Sequence, residues 1–211
     1  MGQSQEKGGF FKKVINIIVG NPSPTLKGTT EAPGKYEPQD EESLDLRFVK
    51  NFTKSGGHFL YCKDLEELKG NIESVCLEEN AKFVYTVEDD IKEVLKGLSV
   101  EVQSKANQSQ AICSNCEALI AQIGGIMIDD IQTGGIVLKE LPEVHIIIAK
   151  TSQIVENLHA GMAKINNKYK SNRPGQLTTL KGSQDESVRQ ASNDQNAKRV
   201  LYLLLVEDQV K

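Results

Sequence analysis

Cys113-Ser114-Asn115-Cys116 is a Cys-x-x-Cys pair, and Glu117 follows it at once. The spacing predicts a helix over 116–122 opened by Ser114 as its cap. At such a helix start the free amides and the dipole acidify a thiol, which suits redox work or metal ligation. Glu117 falls in the first turn, where the dipole favours a carboxylate. There it could act as a base or hold a ligand hydroxyl. A closed zinc site needs four ligands, and Cys62 and Cys76 do not form a second pair. No metal or cofactor is expected.

Downstream, Gly124-Gly125 permits positive φ or close backbone approach. The pair lacks the longer glycine spacing and the lysine of a phosphate cradle, so a tight turn into a strand is the simpler reading. Asp129-Asp130 resembles a metal or base pair but has no third ligand in reach by spacing, and reads as a solvated turn. His145 opens an apolar run, where a lone histidine is either an acid–base group or a hydrogen-bonded structural residue. Gly182-Ser183 precedes a predicted helix and could bind an anion through free amides, although Asp185 and Glu186 already bring negative charge there. His58 and His159 show no partner pattern, and no nucleophile elbow supports Ser-His-Asp hydrolysis.

These residues need a scaffold, and from Leu44 onward the chain alternates helix and strand. Leu44, Phe48 and Phe52 share one helical face. His58–Cys62 reads as the first strand, and Asp64 with Glu67 makes a capping box for the next helix. Phe83–Tyr85 is a short strand, 88–98 a helix, and 100–102 an edge strand. Residues 125–128 and 136–139 read as paired strands. Val144–Ala149 is apolar throughout, as a strand covered on both faces must be. A helix is predicted from Ser152 to Tyr169, strands at 177–180 and 200–206, and a helix at 183–193. Repeated βα units argue for a largely parallel sheet flanked by helices, with ligands beyond the carboxyl ends of its strands.

The chain has 211 residues, a formal net charge of −4 and 38% hydrophobic residues. That suffices for one α/β domain over 44–211 plus a tail over 1–43. The acidic balance gives no field that draws nucleic acid. No apolar run approaches the roughly 20 residues that span a bilayer. Four cysteines in a domain of this size fit reduced thiols and a cytoplasmic setting. Proline and glycine punctuate the tail, except at 10–19, where Phe10, Phe11, Val14, Ile15, Ile17 and Ile18 share a broad face opposite Lys12 and Lys13. Lys7, Lys12, Lys13, Lys27 and Lys35 outnumber Glu6 and Glu31, so this segment could lie on an anionic membrane surface or dock on a protein.

Glu117, the Gly124-Gly125-Ile126 turn, Leu141-Pro142 and His145-Ile146 together resemble the LUD (lactate-utilisation) domain family, over roughly residues 44–208. The resemblance implies a three-layer αβα fold similar to ribose-5-phosphate isomerase, glucosamine-6-phosphate deaminase and CoA transferases. It also implies an accessory subunit in lactate-type organic-acid oxidation, with protein partners in an oxidation complex and a small-molecule ligand. Glu117, Gly124, Gly125 and Gly182 would form the concave site, with His145 and Ser183 as further ligand-binding candidates. Two segments depart from the family pattern. Gly182 to Val188 keeps only the glycine of the usual Gly-Pro-Ser, and Gln195 to Arg199 replaces a His-Gly-Pro. A different class of function, a non-enzymatic module tethered through 10–19, fits the same residues.

Overall fold

The computed structural model describes residues 42–170, 174–182 and 199–208. The amphipathic segment 10–19, the predicted helix 183–193 and Ser183 lie outside the described residues.

Helix α1 (Leu44–Lys54) is capped by Ser43 and buries Phe48 and Phe52 of the predicted face together with Val49, while Leu44, in the first turn, is exposed. Strand β1 (His58–Cys62) follows. Helix α2 (Leu65–Glu78) starts at Asp64, whose side chain accepts from Glu67 N. The Glu67 carboxylate accepts from Lys63 N instead of closing the box on Asp64. Then come β2 (Phe83–Tyr85), α3 (Asp89–Leu95), β3 (Glu101–Gln103), β4 (Ala111–Ser114), β5 (Ala118–Ile120) and β6 (Gly125–Asp129). The short α4 (Asp130–Thr133), β7 (Val144–Lys150), β8 (Ile154–Val155), α5 (Leu158–Tyr169), β9 (Leu177–Leu180) and β10 (Val200–Val206) complete the chain.

Six strands form one sheet in the order β1-β10-β7-β4-β2-β3, with every pair parallel. β10 and β7 lie inside it and are covered on both faces. Leu201, Leu203 and Leu205 face one core together with Ile147 and Ala149. Tyr202, Leu204 and Val206 face the other with Ile146 and Ile148. Alternation across a strand thus turns a continuous apolar run into two half-cores. α2 and α3 cover the second face. α1 and a smaller sheet, β8-β5-β6-β9, cover the first. The result is a three-layer α/β fold, with α5 packed on the outer side of the small sheet.

Three expected elements differ. Residues 116–122 are not a helix, because Ala118, Leu119 and Ile120 pair with β6 and β8 and are buried on both faces. A short apolar run does not distinguish a buried strand from a helical face. Residues 136–139 do not pair with β6. Gly134 and Gly135 end α4 at φ +65° and +74°, and β9 takes that edge of β6. The helix expected from Ser152 begins at Leu158 under an Asn157 cap, since Ile154 and Val155 are drawn into β8.

Candidate functional site

A cavity of about 650 Å³ opens beyond the carboxyl ends of β2, β4, β7 and β10. This is where a parallel α/β sheet leaves a crevice, because its loops diverge there. Its floor includes Ala149 and Val206, and one side carries Glu117, Asp129, Gln132, Lys168 and Tyr169.

Glu117 leaves β4 on the short link to β5, and its side chain is 2% exposed. Lys168 Nζ donates to both carboxylate oxygens at 2.7 and 3.0 Å. The Tyr169 hydroxyl lies 2.9 Å from Oε1, and Gln132 Nε2 donates to the same oxygen at 3.1 Å. Each donor is placed by its own element. Lys168 and Tyr169 form the last turn of α5, which sits close to the small sheet because Gly161 faces Met127 and Ile120. Gln132 belongs to a capping box: its backbone N–H donates to Asp129 Oδ1 while its Oε1 accepts from Asp129 N. Its amide N–H is thereby left to reach Glu117.

Asp129 is correspondingly buried at 2%, not part of a solvated turn as expected. Its Oδ2 lies 3.0 Å from the Tyr169 hydroxyl. The one phenolic proton therefore stands between two carboxylates, and burial, with Glu117 and Asp129 adding, pushes the Tyr169 hydroxyl up to about 12. Burial opposes the charge on Lys168, but the hydrogen bonds to Glu117 and Tyr169 outweigh it and raise the ammonium. Across the cavity, Asn115 ties two more carboxylates: Glu88 accepts from its backbone N and Nδ2, and Asp90 accepts from Nδ2 at 2.8 Å. Burial raises the Glu88 carboxyl above its ordinary range.

Among the described residues that the sequence singles out, Cys116, Glu117 and Asp129 line this cavity, whereas Cys113, Gly124, Gly125, Asp130, His145 and Gly182 do not. Gly124 has φ +59°, and a Cβ there would stand 2.3 Å from Phe52 N. Gly125 faces Thr179, and Gly182 packs against the turn at Ser55 to Gly57. Gly124 and Gly182 let the chain approach α1 and the turn after it closely, and Gly125 does the same between β6 and β9. Cys113 lies within β4 and Cys116 just after it, so no helix start faces either thiol. Both are buried, and desolvation raises them well above the usual thiol range, the reverse of the expected acidification. Among the described residues no group of three or more His, Cys, Asp or Glu side chains is placed to hold a metal ion.

His145 is buried in β7, with Nε2 2.8 Å from Ser114 Oγ and no partner for Nδ1 among the described residues. Burial, then the nearby Arg199 guanidinium, holds its pKa well below the ordinary value. The imidazole is thus neutral in the fold. Below about pH 6.5 the unfolded chain binds a proton that the folded chain refuses, so stability should fall with acidity. The slope reaches about 1.4 kcal/mol per pH unit for one such group. Urea unfolding of wild type and His145→Gln between pH 7.5 and 5 checks this: wild type should lose stability relative to the variant as pH falls.

Lys168, Glu88, Asp90 and Asn115 were not legible as site residues. Tyr169 stood out only as the end of a predicted helix. The one available signal was position, since Glu88 and Asp90 follow directly on a strand that ends at the crevice.

The fold and this crevice define an α/β protein with a ligand-sized pocket at the carboxyl edge of a parallel sheet. Residues 85–205 match the family model for the LUD domain. The chain belongs to that family. The structure is similar to that of a DUF162 family protein from Deinococcus radiodurans, with a TM-score of 0.57 and 17% identity. The match covers 80% of this chain and 99% of the other, and it shows the shared fold. A search of curated proteins found no match. Among the described residues no helix is long and apolar enough to cross a membrane.

Proposed function

We propose that this protein is an accessory, ligand-binding LUD-domain subunit in lactate-type organic-acid oxidation, with the pocket above Glu117 as its ligand site. The observation that carries the pocket reading is a buried carboxylate, Glu117, held by three donors on the wall of a cavity of about 650 Å³. Burying a charge with its partners beside open volume costs stability that a merely structural contact would not need. Membership of the LUD family supports the link to lactate.

Two measurements test the reading. Deleting the gene from its source organism should abolish or slow growth on L-lactate as sole carbon source, and the Ile131→Arg form should fail to restore it. Ile131 lines the pocket and is 55% exposed, so a longer charged side chain can cross the mouth without disturbing the core. In thermal shift, a ligand of the intact protein at about 100 times its Kd adds roughly 2.7 kcal/mol, and Ile131→Arg should remove that shift. Unchanged growth on lactate would overturn the metabolic assignment. Ligand shifts that Ile131→Arg leaves intact would overturn the pocket.

A further inference from the structure

We propose that the pocket takes an amphipathic ligand, an apolar body carrying an uncharged or cationic head rich in hydrogen-bond donors, and not a free small carboxylate. This rests on the reading of the cavity as the ligand site and names the class of molecule that it selects.

The two walls of the cavity differ in chemistry. Leu65, Leu68, Ile91, Val94, Ile148 and Val206 line one side, and all six belong to the core between the parallel sheet and α2 and α3. That core is therefore open to the cavity along one edge, and Ile131 extends the apolar surface to the rim. Apolar surface left open beside an ordered polar wall is what a hydrophobic moiety would cover. A three-carbon hydroxy acid has too little apolar surface to cover it and would leave most of about 650 Å³ to water.

Charge gives the second half of the argument. The lining carries four carboxylates, Glu88, Asp90, Glu117 and Asp129, against two ammonium groups, Lys150 and Lys168. Lys168 is committed to Glu117 by two hydrogen bonds and lies over the Tyr169 ring at 4.7 Å. Lys150 is exposed at the rim. Among the described residues an anionic head would thus meet like charge with no uncommitted cation in the interior, which penalises it. Hydroxyls or an amine suit the wall better. Asn115 holds Glu88 and Asp90 side by side, and each carboxylate keeps acceptor capacity beyond the bonds it receives.

Isothermal titration of the intact protein with hexyl β-glucoside, hexylamine, hexanoate, glucose and L-lactate tests this. The three hexyl probes share a body and differ in head, while glucose and lactate lack the body. Hexyl β-glucoside and hexylamine should each bind at least about tenfold more tightly than hexanoate, and glucose and lactate more weakly still. Glu88→Gln with Asp90→Asn should narrow the gap between hexylamine and hexanoate, with an unchanged Tm reporting an intact fold. Preference for hexanoate or L-lactate, lost in Ile131→Arg, would overturn the ligand class while leaving the pocket reading in place. A gap unmoved by the double substitution would also overturn the class. No binding by any probe would overturn class and pocket together.

Discussion

Replacing Glu117 with alanine is expected to lower stability by about 2–4 kcal/mol, a fall in Tm of roughly 5–15 °C for a domain of this size. The side chain is 2% exposed and receives four hydrogen bonds, two of them from a cation. Truncation strands the Gln132 amide, which is buried, and deprives the Tyr169 hydroxyl of one of its two acceptors. Lys168 loses less, because its side chain is 55% exposed and its ammonium can turn to water. The reverse change, Lys168→Met, leaves a buried carboxylate without its counter-charge and should cost about 3 kcal/mol, the low end for a broken buried pair. Denaturant unfolding of the two single variants and the double variant would measure the coupling. A double variant whose loss equals the sum of the singles would show that the pair does not act as a unit.

Gly124→Ala should be the most damaging single-atom change in the described chain, costing about 3–5 kcal/mol. Two effects combine. The residue has φ +59°, a conformation that a β-carbon disfavours, and the added atom would stand 2.3 Å from Phe52 N and 2.4 Å from Asn51 C. Both neighbours are backbone at the end of α1, so no side chain can rotate away. The same junction is fixed from the other side by Asn51 Nδ2, which donates to Ala121 O at 2.9 Å. Gly135→Ala is the control. Its φ is +74° but no atom lies within 4 Å of the new carbon, so only the conformational cost of about 1–2 kcal/mol should appear. Equal losses at the two positions would refute the clash at α1.

How much could be read beforehand follows from the range of the interactions involved. β7 and β10 were legible because their runs of buried residues are apolar on both faces, which local sequence displays directly. α1 was legible from the spacing of its phenylalanines, and α2 from Asp64 as a cap. Residues 116–122 were not, since the strand Ala118–Ile120 is defined by partners at Gly125–Met127 and Ile154–Val155 that no local pattern announces. The Cys113–Cys116 reading failed with it, because without a helix start there is no dipole to oppose burial. Glu117 stood out in the sequence, yet its partners come from 12 to 52 positions away, Asp129 among them through Tyr169. Nothing near Lys168 in the sequence marks it as the cation that neutralises a buried acid.

The alternation of helix and strand, the parallel α/β class and the family were already written in local sequence, because apolar periodicity, caps and a few turn residues act over a handful of positions. Which polar residues meet depends on long-range packing. Glu117, Asp129, Gln132, Lys168 and Tyr169 become one network because β5 and β6 pair and α5 packs across them. A carboxylate is buried only where several elements bring their donors to it at once.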